Sequence, residues 1–307
     1  MKEIVSGLTI AAVEREVGLS KDVLRVWERR YGFPAPLRAA NGERLYPPEQ
    51  VRRLRLVKRL LDQGLRPGRV LGVDEEALEA LAAGSGAAPM AGDMPEPEGA
   101  AQLLACLRAH DAAGLYRALQ QRLAQRGLAS FVLDTIGPLA VRVGEEWARG
   151  AMEVFEEHLF TEVATRLLRQ GILAVPAGEG PVVLLTTVPE EAHGLGLLMG
   201  EAMLALHGAR CINLGTQIPL TDIVRAADAY AVDVVALSFS SSFALRRIPP
   251  LLQQLRAALP PSVDLWAAGA TASRLAPIEG IAVLGSMDDA LAALDAFRKR
   301  GHGSSRL

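Results

Sequence analysis

Five short apolar runs in the C-terminal part of the chain constrain its fold most strongly. After Pro181 these runs read VVLLTTV, RCINLG, VDVVALSFS, VDLWAAG and IAVLGS, and segments of helix length separate them. Nearly continuous apolar runs are typical of parallel strands that are buried on both faces, and parallel strands need crossover helices between them. The sequence therefore predicts a flavodoxin-like doubly wound parallel sheet over residues 177–302, here called the sheet domain.

The chain before the sheet domain divides into three further segments. In residues 100–176, the helical segment, apolar residues such as Leu115, Leu119 and Leu123 recur three or four positions apart, which predicts a four-helix-type bundle. Residues 79–99, the linker, are dense in Gly, Ala and Pro without a hydrophobic period. Residues 1–78 form the head. The fold class predicted for the whole chain is multidomain, combining α and α/β domains.

Charge is distributed unevenly between the head and the rest of the chain. Residues 1–72 hold 15 Lys and Arg against 8 Asp and Glu, a net charge of +7, whereas the remainder holds 18 against 27, a net charge of −9. A compact basic domain on an acidic body is typical of a nucleic-acid reader joined to another function.

The head contains the signals of a helix-turn-helix. Thr9 and Ser20 can each cap a short helix, and Gly18 can end the first one. In the second helix Leu24 and Trp27 face inward. Its remaining faces carry basic side chains that can reach phosphates and base edges in a major groove, namely Lys21, Arg25, Arg29 and Arg30.

A hairpin is predicted after these two helices. Asn41-Gly42 is a hairpin-turn dipeptide and lies between Arg38 and Arg44, so the hairpin can form a wing. The stretch LSKDVLRVWERRYGFPAPLRAANGERLYPPEQVRRLRLVKRLLDQGL, residues 19–65, resembles the MerR family of winged helix-turn-helix regulators. The resemblance implies that Arg25, Arg44 and Tyr46 contact operator double-stranded DNA. The long dimerising helix of that family is not expected here because the linker follows, so paired heads must come from self-association of the body.

The loop after the first strand of the sheet domain reads PEEAHGLGLLMG, and two ligand classes fit it. Gly194, Gly196 and Gly200 approximate a dinucleotide fingerprint, but the last spacing is one residue too long. Alternatively, His193 can ligate a transition metal while Glu191 holds its other ring nitrogen. A histidine in a loop can also be merely solvated.

A second resemblance concerns this loop. Glu191-x-His193-x-x-Gly196, followed by Ser238 and Gly269, is similar to the cobalamin-binding domain. The resemblance implies that His193 is the lower cobalt ligand and that Ser238 and Gly269 leave room for the displaced base. The implied cofactor-binding residues include Ser240, although Leu is usual there. Ala268 before Gly269 also departs from the family pattern, which has a pair of glycines.

The helical segment extends the resemblance over nearly the whole chain. Trp147-x9-Glu157-His158 is similar to the helical cap of the CarH and LitR light-sensing regulators. The resemblance implies that Trp147 and Val154 pack on the adenosyl group of adenosylcobalamin, with Glu157 and His158 near its polar edge. Ala148 departs from well-known members, which have a histidine there that can ligate cobalt after photolysis.

These resemblances imply a repressor that binds adenosylcobalamin and operator DNA in darkness, assembles into a dimer or tetramer, and releases DNA when light breaks the cobalt–carbon bond. A regulator that senses cobalamin level without light is the alternative. A mutase or methyltransferase subunit is disfavoured because the other domain is a DNA reader.

Two distant cysteines, Cys106 and Cys211, disfavour a metal or redox sensor. The chain shows no signal peptide and no uninterrupted membrane-length apolar run, so we expect a cytoplasmic protein. Because its other domain is a DNA reader, we do not expect an enzyme.

Overall fold

A computed structural model of the chain describes residues 7–39, 42–62, 65–85 and 99–304. Its contacts divide the chain into two compact units. The first comprises Met1–Met94 with Arg142–Val154, and the second comprises Pro95–Val141 with Phe155–Leu307. Each unit is described by itself.

The helix-turn-helix is confirmed, and its local signals explain it. Helix α1 spans Ile10–Val17 and helix α2 spans Lys21–Tyr31. The hydroxyl of Thr9 accepts the amide of Ala12 at 3.3 Å, and that of Ser20 accepts the amide of Val23 at 3.3 Å. Gly18 ends α1 with φ 72°, a left-handed conformation that glycine adopts without strain.

A three-stranded antiparallel sheet and further helices complete the head. Its strands, in the order β1-β3-β2, are β1 (Leu8–Thr9), β2 (Leu37–Arg38) and β3 (Arg44–Tyr46). The pairing of β2 with β3 forms the predicted wing, although Asn41 of the predicted turn lies outside the described residues. The helices are α3 (Pro48–Asp62), α4 (Pro67–Val70) and α5 (Glu75–Ser85).

Helix α5 changes the boundary predicted between the head and the linker. The helix continues to Ser85, so residues 79–85 of the predicted linker are helical, and residues 86–98 lie outside the described residues. The composition of the segment was misleading because alanine, which is common in linkers, is also the strongest helix former. Leu78 is fully buried and Leu81 packs against the same core, which fixes the helix on the head.

The helical segment forms the predicted succession of helices. They are α6 (Ala100–Arg108), α7 (Ala112–Ser130), a π-helical stretch (Phe131–Ile136), α8 (Gly137–Ala148) and α9 (Val154–Leu173). The end of α8 and the loop after it group with the head, so the predicted 100–176 domain is divided between the two units. Arg52 and Arg55 of α3 explain this grouping, since they lie against Gly150 and Trp147 respectively.

One helical stretch of the described residues, Ala112–Trp147, is long and apolar enough to cross a membrane by length and composition alone. Its mean hydropathy over the best window is 1.3. Core helices of soluble proteins pass the same test, and this stretch contains fully buried residues such as Phe131 and Leu139. It is also bent at Gly127, where φ is 75° and ψ is 170°. We therefore assign it to the core of the helical segment.

The five predicted strands form one parallel sheet, which confirms the predicted fold class. They are β4 (Val182–Thr186), β5 (Arg210–Asn213), β6 (Val234–Ser238), β7 (Asp264–Ala268) and β8 (Ala282–Leu284), in the order β5-β4-β6-β7-β8. The helices between and after them are α10 (Leu195–Leu206), α11 (Leu220–Ala229), α12 (Ile248–Ala258) and α13 (Met287–Ser304). The strand order reverses at β4, whose neighbours are β5 and β6. Ligands of such sheets bind beyond the carboxyl ends of the strands at this reversal.

Candidate functional site

The loop after β4 is anchored from within the sheet domain. The buried hydroxyl of Thr187 donates a hydrogen bond to the carbonyl of Glu191 at 2.5 Å. The same hydroxyl accepts the amide of Gln217, in the loop after β5, at 2.8 Å. A single buried side chain thus joins two neighbouring loops and fixes the backbone at Glu191.

Glu191 is the centre of a hydrogen-bonded cluster at the carboxyl edge of the sheet. Its side chain is 1% exposed. Oε1 accepts the backbone amide of His193 at 3.0 Å and lies 2.7 Å from His193 Nδ1. Oε2 accepts the amide of Ser240 at 2.8 Å and the Ser240 hydroxyl at 2.9 Å. Both carboxylate oxygens are therefore engaged, as a buried carboxylate requires.

The hydrogen bonds determine the charge state of Glu191. Burial opposes ionisation of its carboxyl group, but hydrogen bonds from the side chain and backbone of His193 and from the backbone of Ser240 outweigh burial. The pKa of Glu191 consequently lies below its usual value of 4.5. An ionised carboxylate favours a proton on Nδ1 of His193, which leaves Nε2 as the nitrogen with a lone pair for a metal. The imidazole is 58% exposed, so it is accessible to a ligand.

Ser240 has a role that the sequence did not reveal. Ser240 was predicted at the cofactor-binding site, as a departure from leucine, but its contact with Glu191 was not: its amide and hydroxyl bind the second oxygen of that carboxylate. Its hydroxyl also lies 3.2 Å from His193 Nδ1. A polar residue directly after a buried strand was the available signal, but nothing local connects residue 240 with residue 191.

The small residues of the predicted ligand slot lie at close approaches of the chain. A Cβ atom added to Gly196 would lie 3.2 Å from the hydroxyl oxygen of Ser238, whose residue is 9% exposed at the end of β6. Gly269 has φ 102°, and a Cβ there would lie 2.4 Å from the carbonyl oxygen of Phe239. A side chain at Gly196 would crowd the Ser238 hydroxyl, and one at Gly269 would collide with the backbone of Phe239.

A salt bridge lies next to this cluster. Glu190 has φ 71°, which is unusual for a residue other than glycine. Arg247, just before α12, pairs with both carboxylate oxygens of Glu190, with its Nη2 2.7 Å from Oε1. The hydrogen bonds from Arg247 lower the pKa of Glu190 despite its partial burial. The pair connects the loop after β4 with the chain after β6.

The metal-binding side chains at this site fit a metal ion whose other ligands belong to its own cofactor. Among the described residues, no group of three or more His, Cys, Asp or Glu side chains could hold a bare metal ion. A single oriented imidazole can still complete the coordination of a metal held in a macrocycle, because the macrocycle supplies the other ligands. Cys211 is unsuited to ligation, since burial and Glu201 raise the pKa of its thiol to about 12.

The residues predicted to cover the upper face of the ligand are divided between the two units. Trp147 and Val154 are partly buried in the first unit, where the guanidinium of Arg55 lies 5.0 Å from the centre of the Trp147 ring. Glu157 and His158 belong to the second unit, with Glu157 Oε2 2.6 Å from His158 Nδ1. The His158 side chain is 71% exposed.

The charged side chain of Arg55, on helix α3, is buried. Its side chain is 8% exposed, and it pairs with Glu16 of α1 as well as lying over Trp147. The hydrophobic pattern of α3 did not show this, because the pattern says nothing about what packs on the polar face of the helix.

Most residues predicted to bind DNA are accessible. Arg25, Arg29, Arg30 and Arg38 are exposed and Lys21 is partly exposed. Nη1 of Arg25 lies 3.2 Å from Oδ1 of Asp22, and Nζ of Lys21 lies 3.4 Å from Oε2 of Glu14. Arg44 is less available because its Nε donates to Glu28 at 2.9 Å.

Tyr46 requires a correction. Its side chain is fully buried in the core of the head, so it cannot contact DNA in this conformation. Burial raises the pKa of its hydroxyl, which has no hydrogen-bond partner among the described residues. Tyr46 ends β3 and pairs with Leu8 of β1, which directs its ring into the core. The resemblance gave its position but not the direction of its side chain.

Comparisons with known proteins agree with this geometry. The family model described as MerR HTH family regulatory protein matches residues 8–73, and two models described as B12 binding domain match residues 100–170 and 181–295. The chain is 34% identical to the HTH-type transcriptional repressor CarH of Myxococcus xanthus, covering 87% of this chain and 90% of that protein. It is 31% identical to the repressor CarA of the same organism, covering 86% and 87% respectively.

A solved structure shows the same fold over part of the chain. The monomethylamine corrinoid protein of Methanosarcina barkeri superposes with a TM-score of 0.51 at 16% identity, covering 64% of this chain and 96% of that chain. At this identity the similarity concerns the fold alone.

Proposed function

Because the chain belongs to the CarH-type family of MerR transcription regulators with a B12-binding domain, we propose that it is a light-responsive repressor that holds adenosylcobalamin and operator DNA in darkness. Membership in the family makes it a cobalamin-sensing regulator rather than an enzyme. The adenosyl form of the ligand, the response to light and the change of assembly are our proposal.

The observation that carries the proposal is the contact of His193 with the buried carboxylate of Glu191. In this assignment His193 is the lower cobalt ligand through Nε2, and Glu191 and Ser240 orient its ring. Gly196, Ser238 and Gly269 are assigned to the slot for the displaced base. Bound adenosylcobalamin would supply a cobalt–carbon bond that light can break.

The upper face is assigned to the residues of the helical segment. Trp147 and Val154 are proposed to pack on the adenosyl group, with Glu157 and His158 near its polar edge. Loss of the adenosyl group would remove a partner of these side chains and shift the population toward another arrangement of the domains.

Operator binding is assigned to the basic surface of the head, through Lys21, Arg25, Arg29, Arg30, Arg38 and Arg44. We propose that the ligand-bound chain self-associates to a dimer or tetramer and thereby presents paired heads, which raises the effective concentration of the second head at a two-site operator. Loss of the assembly would then weaken DNA binding without any change in the head. Since its relatives are bacterial regulators, we expect the protein in the cytoplasm.

Ala148 favours a second candidate, a regulator that senses cobalamin level without light. Alanine cannot ligate cobalt, so a bis-histidine state formed at this position after photolysis is not available. A level sensor should bind operator equally well in darkness with adenosylcobalamin and with hydroxocobalamin, whereas a photoreceptor should bind only with the adenosyl form.

The experiment is to mix the full chain with adenosylcobalamin in darkness and record the visible spectrum and the size-exclusion profile before and after green light. His193→Ala tests the ligand, and His207→Ala is the matched control, since His207 is an exposed histidine that binds the carbonyl of Met203 at 2.8 Å. We expect a bound corrin spectrum and a light-induced size change in the wild type and in His207→Ala, both diminished in His193→Ala. An identical spectrum and size before and after illumination would contradict the photoreceptor.

A further inference from the structure

Val26 is a large apolar side chain exposed in the middle of the DNA-reading helix α2. It is 42% exposed. Four charged, exposed residues lie within about one turn of it, namely Asp22, Arg25, Arg29 and Arg30. An aliphatic patch thus lies inside a basic surface.

The position of Val26 on the helix makes it central to that surface. Leu24 and Trp27 point into the core of the head and are at most 5% exposed. With 3.6 residues per turn, Val26 lies about 200° around the helix axis from Leu24 and about 100° from Trp27, on the solvent side of the helix. The same side of α2 presents Arg29 and Arg30 to solvent, and Val26 lies between these two in rotation around the helix axis.

The fold of the head gives no reason for valine at this position. A β-branched residue is a weaker helix former than Ala, Lys, Arg or Glu, and an exposed one gains little from burial. Val26 is not part of the packed core of the head. In the described part of the head 42% of its surface stays exposed, so a partner molecule could add apolar contact there.

The partner that fits is the C5-methyl group of thymine. The second helix of a helix-turn-helix lies in the major groove, where the thymine methyl is the apolar feature of the base edges. Arg25, Arg29 and Arg30 supply the attraction to phosphates and base edges around it. We propose that Val26 contacts the methyl group of an operator thymine and determines specificity at that base pair. This inference rests on the DNA-binding part of the proposed function.

The test uses the full chain loaded with adenosylcobalamin in darkness and a duplex that it selects from a random library. In the selected duplex each thymine is then replaced, one at a time, by deoxyuridine, which removes only the methyl group. At one position, or at the equivalent position in the second half of a two-site operator, we expect the replacement to weaken wild-type binding about fourfold. That is the effect of one methyl-sized apolar contact.

Three variants distinguish loss of this methyl contact from a general weakening of DNA binding. Val26→Ala should bind the unmodified duplex about fourfold more weakly and should no longer distinguish thymine from deoxyuridine at that position. Val26→Ile keeps the apolar contact and should still distinguish them. Arg29→Ala should bind all duplexes more weakly and keep the methyl dependence, because it removes a charge and no apolar contact.

The outcomes distinguish the inference from the function on which it rests. If the wild type selects a duplex but no deoxyuridine substitution affects its binding, the inference is wrong and the DNA-binding function stands. The same holds if Val26→Ala retains every methyl effect. If the wild type enriches no sequence, both the DNA-binding function and the inference fail.

Discussion

Arg247 holds Glu190 through both carboxylate oxygens, in the loop that also carries Glu191 and His193. Glu190 has φ 71°, a conformation that costs a residue with a side chain about 1 to 3 kcal/mol. The ion pair connects two loops at the carboxyl edge of the sheet, and the strain is next to the carboxylate that orients the imidazole. We therefore expect Arg247 to stabilise the conformation in which His193 can bind.

Arg247→Ala should weaken binding of hydroxocobalamin about tenfold, because binding would have to restore a loop strained by about 1.4 kcal/mol. Spectroscopic titration measures this affinity. Glu190→Gly should bind nearly as well as the wild type, since glycine adopts a positive φ without strain. In the Glu190→Gly background Arg247→Ala should have little further effect. Arg246→Ala is the matched control, as Arg246 is an exposed neighbour, and an equal loss in that variant would argue against a specific role of Arg247.

Glu191→Gln should weaken cobalamin binding by about 10- to 100-fold, the range found when a residue that orients a metal-bound histidine is replaced. The amide can no longer attract the Nδ1 proton as an anion does, although its shape is preserved. The affinity is measured by the same titration. Glu279→Gln, the same change at an exposed glutamate of the sheet domain, should have no effect.

The lowered pKa of Glu191 predicts a pH dependence of stability in the protein without ligand. A carboxyl group with a lowered pKa in the folded state stabilises that state fully above its unfolded value, and the contribution is lost as the pH falls through the folded value. The melting temperatures of the wild type and Glu191→Gln should therefore differ most above pH 4.5 and converge below it. A difference that grows on acidification would contradict the ionised, hydrogen-bonded carboxylate.

Tyr46→Phe should stabilise the head by about 1 kcal/mol and leave operator affinity unchanged. The hydroxyl group is buried without a hydrogen-bond partner among the described residues, and such a group costs about 1 to 3 kcal/mol. Hydrogen exchange of the α3 amides in the full chain reports the stability of the head. Weaker DNA binding at unchanged stability would indicate that Tyr46 leaves the core to contact DNA.

The features that could be predicted from the sequence are those with local causes. Thr9 and Ser20 bind amides within their own first helical turns, and each strand of the sheet domain is an apolar run buried by the helices around it. The hydrogen bonds of Ser240 with Glu191 and of Arg247 with Glu190 join loops after different strands. Such contacts depend on the strand order, which brings β4 and β6 together, and no sequence period reports them.

The directions of side chains could not be predicted from the sequence either. The resemblance placed Tyr46 and Trp147 at positions with known roles in the family, but position alone does not determine what a ring packs against. Tyr46 faces the head core, and Trp147 has Arg55 over its ring. Both outcomes follow from packing by residues distant in sequence.

Gly269→Ala should destabilise the sheet domain by more than about 2 kcal/mol, because the position has a positive φ and the new Cβ would lie 2.4 Å from the Phe239 carbonyl oxygen. Thermal unfolding without ligand measures this change. Gly200→Ala is the matched control, since a Cβ there meets nothing within 4 Å and alanine favours the α10 helix. Equal stability of the two variants would show that the loop after β7 can move aside.

Because Gly269 lies against the backbone of Phe239, the presence of this glycine in a related protein does not indicate that the protein binds a corrinoid. The fold itself requires the glycine, so a descendant of this chain that no longer bound a corrinoid would retain Gly269 as long as it kept the sheet. His193 has no such protection, since its imidazole is 58% exposed and no close backbone approach requires a particular residue there. Loss of sensing in a lineage should therefore appear first at His193, while the glycine persists.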